Sequence, residues 1–331
     1  MLRVGIVGLG VISEVHMDAV RRLQDIAKLV AVCDCLLEKQ KKVPDIPFYT
    51  DLEIMLQSEN LDCLHICLPH YLHKWAARIA AKYHVNVFME KPAGFHAEDV
   101  YTMQKEIKEI HIGVCLQNRY NATTKKVLEL LEKGTYGKLK GCKAIVTWDR
   151  RYHYYDKDIW RGERDKAGGG VMLSQAIHTM DLMCLFCGKM QWVKGMTGNL
   201  FLEDIQVEDT ACAHIQFENQ VTGIFYGSVT HCHNSSVEIE LVLERGILNI
   251  KNNRLVSWQN GEEVILAEDE NLSSGKDYYG AGHYYAIKEY YEMLEGRGGS
   301  EITLNQAAVV NQLIDAIEKS AKEKKKVYCC Y

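Results

Sequence analysis

The sequence predicts an α/β protein: a doubly wound parallel sheet over the first third of the chain, then a largely antiparallel sheet with closing helices. Three observations carry this reading. Short, near-continuous apolar runs alternate with amphipathic stretches up to Asn118, the pattern of parallel strands covered by crossover helices. Gly8 and Gly10 stand where the first apolar run passes into the first helical stretch. Beyond Phe186, strand-like runs follow one another without helices between them.

Taken in order, strands are expected at Leu2–Val7, Leu29–Cys33, Cys63–Leu68, Val85–Met89 and Ile112–Leu116. Helical patterns near Glu14–Leu23, Leu52–Gln57, Leu72–Tyr83 and Ala97–Lys108 separate them. A sheet of this kind places its ligand crevice at the carboxyl ends of the strands. The boundary is expected near Asn118, giving one domain over 1–118 and a second over 119–331. A helix at Thr123–Glu132 runs to Gly134, which can supply a left-handed cap. A strand at Leu139–Trp148, a polar aromatic loop and a helix near Val171–Phe186 follow, the last opened by Gly168-Gly169-Gly170. Strands are then expected at Trp192–Thr197, Ala211–Phe217, Val221–Ser228, Val237–Leu243 and Gly246–Ile250, before helices at Tyr284–Leu294 and Ala307–Ser320.

Composition narrows the class. At about 150 residues per domain, the chain's length suggests two domains. Apolar residues are 47% and charged residues 25%, an ordinary globular balance. The net charge of −5 and the lack of a basic block beyond Lys324-Lys325-Lys326 speak against a nucleic-acid surface. No apolar run approaches a membrane span and no signal peptide is read, so a cytoplasmic protein is expected. The 12 cysteines lack paired zinc-type spacing and read as core thiols. His231-Cys232-His233 is placed in a strand, where alternation would point Cys232 away from both histidines, and no metal is assigned.

Several motifs carry chemistry. In Gly8-Leu9-Gly10-Val11-Ile12-Ser13, Gly8 suits a tight turn, Gly10 a close approach to pyrophosphate, and Ser13 the third small position. The blander reading is a plain tight turn. Asp34, at the end of the second strand, is spaced to accept from ribose hydroxyls and repel a 2′-phosphate, which favours NAD over NADP despite Lys39, Lys41 and Lys42. Otherwise it merely starts a turn. Lys91 follows a strand's carboxyl end and can stabilise negative charge on a substrate oxygen, or be a solvated charge. His178, with Asp181 one turn on, can move a proton or be a satisfied core histidine. Tyr152, Tyr154, Tyr155, Trp160, Arg150, Arg151 and Arg161 suit either a carbohydrate site or a subunit contact.

The glycine turn, Cys67-Leu68-Pro69 with His73, Glu90-Lys91-Pro92, the glycine triplet, His178 and Asp181 together resemble the Gfo/Idh/MocA oxidoreductases over nearly the whole chain. The resemblance implies an N-terminal Rossmann domain and a C-terminal α/β domain with an open, mostly antiparallel sheet. It implies that Lys91 and His178 are catalytic. Gly8, Gly10, Val11, Ile12, Asp34, Pro69, His73, Glu90 and Lys91 would line the cofactor, with the Lys91–Pro92 peptide often cis. Asn118, Arg119, Tyr155, Trp160, Arg161, Ser174 and Asp181 are the substrate-side candidates. Some relatives carry an aspartate four residues before the histidine; here Ser174 stands there, leaving Asp181 or Ser174 to orient the ring. His283 is a secondary candidate.

The expected activity is NAD(P)-dependent hydride transfer, with NAD the favoured cofactor, between nicotinamide and a secondary alcohol or ketone of a sugar, cyclic polyol or sugar derivative. An NAD-dependent glycosidase of the same family and a non-catalytic dinucleotide-binding regulator are the alternatives. The resemblance also implies a homodimer or homotetramer, its sheets packed across subunits.

Overall fold

Leu2–Val7 (β1), Ala27–Cys33 (β2), Phe48–Tyr49 (β3), Cys63–Ile66 (β4), Asn86–Glu90 (β5) and Ile112–Cys115 (β6) form a parallel sheet in the order β3-β2-β1-β4-β5-β6. Every residue of β4 and β6 is buried, as strands covered on both faces require. Helices Val11–Arg22 (α1), Leu52–Ser58 (α2), His73–Lys82 (α3) and Ala97–Glu106 (α4) alternate with these strands. The order reverses between β1 and β4, the switch point where such sheets bind ligands. This computed structural model describes residues 1–151, 154–259, 262–270 and 281–329, and the chain parts into two compact units.

The second unit holds Ala122–Glu132 (α5), Tyr154–Lys157 (α6), Arg164–Ala167 (α7) and Ile177–Cys187 (α8). Its strands are Leu139–Thr147 (β7), Met190–Gly198 (β8), Thr210–Phe217 (β9), Thr222–Ser228 (β10), Glu238–Leu243 (β11), Gly246–Lys251 (β12), Arg254–Gln259 (β13), Glu262–Glu268 (β14) and Val327–Tyr328 (β15). They run β14-β13-β12-β11-β7-β10-β9-β8-β15, and only β7 and β10 pair in parallel. Alternation gives this sheet two faces. Ala211, Ala213, Ile215, Phe217 and Phe225 are buried in one core with Met180 and Met183 of α8. Met196, Ile224, Tyr226, Val242, Ile247 and Trp258 are exposed.

Gly282–Leu294 (α9) belongs to the first unit, where Tyr290 and Tyr291 are fully buried. Leu304–Glu323 (α10) begins in the first unit and lies in the second from Val309 onward. The sequence reading missed β3 and β15, which are too short for a periodic signal, β13, where Leu255, Val256 and Ser257 are buried in a row, and β14, where no residue is buried. The helix expected over Val171–Phe186 is broken into a π-helical turn, Val171–Gln175, and α8. Backbone groups of that turn bond outside the helix: Glu208 accepts from the amides of Gly170 and Met172 at 2.8 and 3.1 Å.

Phe225→Ala would empty a fully buried site in the second unit. It should lower unfolding free energy by about 3–5 kcal/mol, read from denaturant midpoints.

Candidate functional site

The carboxyl ends of the parallel strands gather the chemistry of the first unit. Gly8 has φ +89°, and a Cβ there would lie 2.6 Å from the Cys67 carbonyl oxygen, so the turn after β1 demands glycine. Over Gly10 the opposite holds: a Cβ would meet nothing within 4 Å, leaving open space beside the N-terminus of α1. Val11 is exposed and Ile12 half-buried at that terminus, while buried Ser13 donates from Oγ to the Gly10 carbonyl at 2.7 Å. Unpaired amides at a helix start, next to open space, fit a pyrophosphate.

Asp34 directly follows β2. Its Oδ2 accepts from the Leu9 amide at 2.7 Å and Lys39 Nζ at 2.9 Å, and its Oδ1 from the Leu36 amide at 3.0 Å. Burial alone would raise its pKa, but Lys39 and the two amides hold it below the usual carboxylate range. This fixed carboxylate ties the glycine turn to β2 and has the acceptor chemistry a ribose diol needs.

His73 has a different role from the cofactor contact implied by resemblance. It is 1% exposed, with Nδ1 2.8 Å from the Pro92 carbonyl and Nε2 2.8 Å from the Leu68 carbonyl. Burial lowers the pKa of the ring, and a neutral imidazole has one ring hydrogen, so His73 donates to one of these carbonyls and packs against the other, between the loop after β4, with half-buried Pro69, and the loop after β5. There the Lys91–Pro92 peptide is cis and Lys91 is half-buried.

Glu90 is buried inside a cluster of imidazoles. His16 Nε2 lies 3.0 Å and His283 Nε2 3.5 Å from its Oε1. Burial would raise its pKa, yet these two partners hold it well below the usual carboxylate range. His16 Nδ1 contacts His65 Nδ1 at 2.8 Å, and His65 Nε2 contacts the Tyr291 hydroxyl at 2.7 Å. His16, Glu90, Cys115 and His283 bring nitrogen, oxygen and sulfur donors within 4.8 Å of one another, a set already knit by hydrogen bonds. The sequence reading left His16, His65 and Tyr291 out. The one available signal was a histidine beside Met17, Ala19 and Val20 on the buried face of α1.

In the second unit, Arg119 donates from Nε and Nη2 to Asp181 Oδ2 and Oδ1 at 2.8 and 2.6 Å. Asp181 is 1% exposed, so it holds Arg119 rather than presenting its carboxylate to a ligand, contrary to the expected substrate contact. The pairing raises the Arg119 pKa against the opposing effect of burial, and the guanidinium stays charged. His178 is half-buried in the first turn of α8, and the Ser174 hydroxyl lies 3.3 Å from the Gly169 carbonyl. Asn118 is half-buried, and its carbonyl accepts from Thr124 Oγ1 at 2.8 Å.

The aromatic segment assembles around a residue not among the final candidates. The Tyr154 hydroxyl is bonded by Arg161 Nη1 at 2.6 Å and by Gln175 Nε2. Its ring faces the guanidinium of Arg161 at 4.6 Å and of Arg150 at 5.9 Å, and Arg161 also stacks on half-buried Trp160 at 4.9 Å. Tyr155, expected at the substrate, is instead buried with Ala167 and Val207. Tyr152 lies outside the described residues. The glycine triplet serves internal packing: a Cβ on Gly168 would strike the Phe95 ring, and one on Gly170 the Glu208 backbone. His231-Cys232-His233 also corrects expectation. These residues lie in bends rather than a strand, and Cys232 Sγ is 3.4 Å from His233 Nδ1 and 3.9 Å from His231 Nε2.

Comparison with known proteins agrees with this geometry. Residues 2–117 match the oxidoreductase family with an NAD-binding Rossmann fold, and residues 124–249 match the GFO/IDH/MocA C-terminal domain. A crystal structure of the WlbA dehydrogenase from Bordetella pertussis, in complex with NADH and UDP-GlcNAcA, is similar with TM-score 0.87 and 28% identity, covering 100% of this chain and 99% of that one. Myo-inositol 2-dehydrogenase of Thermotoga maritima is 24% identical, over 87% of this chain and 84% of its own length. A 2,7-anhydro-N-acetylneuraminate hydratase of Mediterraneibacter gnavus is 26% identical, over 68% of this chain and 61% of its own.

The depressed Glu90 carboxyl has a consequence for stability. Its contribution is present above the ordinary carboxylate range and is lost as pH falls through the folded value. Glu90→Gln should flatten the acid limb of stability against pH, measured by denaturant unfolding at stepped pH values.

Proposed function

The chain belongs to the Gfo/Idh/MocA oxidoreductases, and on that premise we propose that it is an NAD-dependent dehydrogenase acting on a secondary alcohol of a sugar derivative, with a nucleotide-linked uronate as first candidate. The observation that carries the reading is the carboxyl edge of the parallel sheet. The Gly8–Gly10 turn, Asp34, Pro69 and Lys91 all follow strands of that sheet. Similarity over the whole chain to a protein bound to NADH and UDP-GlcNAcA supports both cofactor and substrate class. Arg119, Arg150 and Arg161, steadied by Asp181 and by aromatic rings, are suited to carboxylate or diphosphate oxygens.

Bound nicotinamide would supply the hydride acceptor. The amides at the start of α1 would hold the pyrophosphate, and Asp34 the adenosine ribose. Lys91 would donate to the substrate oxygen and stabilise the negative charge that grows there. His178 would take the hydroxyl proton as the carbon–hydrogen bond breaks and the carbonyl forms. A second reading, in which NAD is used without net turnover, draws support from the hydratase relative. Product analysis separates the two, since only a dehydrogenase accumulates NADH.

Four outcomes follow. With UDP-GlcNAcA, free sugars and inositols offered in parallel, the nucleotide sugar should give the highest kcat/KM by NADH absorbance. His178→Ala should cut kcat by roughly a hundredfold to ten-thousandfold, and the rise of rate with pH over the range where imidazole loses its proton should vanish. Loss of that limb in Lys91→Met instead would make the lysine the proton carrier. NAD(H) should bind more tightly than NADP(H) in equilibrium titrations, given the fixed Asp34 carboxylate. The exposed apolar residues of the second sheet should pair subunits, so light scattering should report a dimer or tetramer that Ile224→Glu with Trp258→Glu dissociates.

A further inference from the structure

The Glu90 cluster contains groups that the proposed chemistry does not use. We propose that Tyr291, His65 and His16 form a one-way hydrogen-bond relay that positions Glu90, and through it Lys91, at the carboxyl edge of the parallel sheet. The inference rests on the role given above to Lys91, but its first test does not.

The direction of the relay follows from its two ends. At one end, Glu90 Oε1 lies 3.0 Å from His16 Nε2. An ionised carboxylate only accepts, so that nitrogen carries hydrogen. At the other end is the Tyr291 hydroxyl, fully buried, whose one partner among the described residues is His65 Nε2 at 2.7 Å. A buried hydroxyl hydrogen without an acceptor is costly, so Tyr291 donates and His65 Nε2 is bare. The hydrogen of His65 then sits on Nδ1 and points at His16 Nδ1, 2.8 Å away. That assignment leaves His16 with hydrogen on Nε2 alone, as Glu90 requires. Both ends demand the same arrangement, and both imidazoles are neutral within it. Burial pushes His65 well below its ordinary pKa and the Tyr291 hydroxyl well above its own, which keeps both in these forms.

The elements involved explain why position is at stake. Tyr291 comes from α9, His65 from β4, His16 from α1 and Glu90 from the last residue of β5. Phe88 wedges against both imidazoles, with centroids 5.9 and 5.3 Å away, which limits their rotation. Glu90 is also faced by His283 at 3.5 Å and by Cys115, whose pKa burial and Glu90 raise. Lys91 is the residue that directly follows Glu90 in the chain, at the start of the loop after β5. A carboxylate held at fixed length and angle by the relay fixes the backbone from which the next side chain departs. Reversing the relay would turn a bare His16 nitrogen toward Glu90 and push the carboxylate away.

The test is the tautomer state of the histidines in 15N-labelled full-length protein, read from long-range proton–nitrogen correlations near neutral pH. His65 should carry hydrogen on Nδ1 and His16 on Nε2. An imidazolium at either position overturns the relay. In Tyr291→Phe the Glu90 end still specifies both tautomers, so these should persist, but the His65 ring loses its second anchor and kcat should fall on the order of tenfold with substrate KM little changed. His16→Gln, which can accept with its oxygen and donate with its nitrogen, should keep most of the activity that His16→Leu loses. Unchanged kcat in Tyr291→Phe, or no rescue by His16→Gln, would refute the positioning role. If the unsubstituted protein turned over no sugar derivative, the dehydrogenase reading would fail, and the tautomers alone would decide the relay.

Discussion

A carboxylate buried at the end of a central strand must be surrounded by donors, and in the first unit Glu90 sets that demand. An isolated buried charge costs several kcal/mol, so the groups that meet it cannot drift away without a large penalty. His16 meets it from α1 and His283 from α9. One carboxylate thereby draws a helix from far along the sequence into the first unit. The same helix brings Tyr290, whose hydroxyl donates to the His111 carbonyl at 3.0 Å at the start of β6. His73 lies between neighbouring loops, donating to a carbonyl of one and packing against the other, after β4 and β5. Rigidity at the carboxyl edge thus comes from satisfied polar groups, with the apolar strands beneath supplying the platform.

The second unit uses the same device on longer loops. Glu208 and Asp209, both buried, are consecutive residues with separate tasks. Glu208 takes the amides of Gly170 and Met172, fixing the turn that precedes α8 and His178. Asp209 Oδ2 takes three successive amides, from Leu200, Phe201 and Leu202, at 2.9, 2.7 and 3.0 Å. Asp269 accepts from the amide and hydroxyl of Thr123 at the start of α5, and Asp181 holds Arg119. Charge-assisted bonds to backbone amides are short and directional, so they define loop geometry where an apolar contact would leave it loose. The glycines belong to this scheme. Gly170 is glycine because the Glu208 backbone passes where its side chain would stand.

What the sequence revealed, and what it hid, follows the same division. The parallel strands, the glycine turn and Asp34 were legible because each leaves a local mark: an apolar run, a φ that only glycine tolerates, an acid at a strand end. The mostly antiparallel character of the second sheet was visible in the succession of runs, whereas β13 and β14 were not: Leu255, Val256 and Ser257 are buried in a row in β13, which breaks alternation, and no residue of β14 is buried. Partnerships across long separations left no trace. Nothing in the string couples His16 with His65, 49 residues apart, or Arg119 with Asp181, 62 residues apart. For the same reason Tyr155 outranked Tyr154 on sequence, although Tyr154 makes the polar contacts. Neighbours in a sequence share composition, and only the fold decides which of them points at the arginines.

These pairings also bear on how the cofactor's ribose would be judged. Three lysines, Lys39, Lys41 and Lys42, follow β2 and look from sequence like a clamp for a 2′-phosphate. In the fold, Lys39 is bonded to Asp34 at 2.9 Å, and Lys42 reaches Glu14 at 3.1 Å. The Asp34 carboxylate cannot turn aside to release its lysine, because the amides of Leu9 and Leu36 hold both oxygens. A phosphate brought to this place would meet a fixed negative charge whose nearest cation is already engaged. A diol would meet an acceptor oriented by the same turn proposed for the pyrophosphate. Discrimination of this kind would reside in the ground state of the protein, in which these charges are already paired.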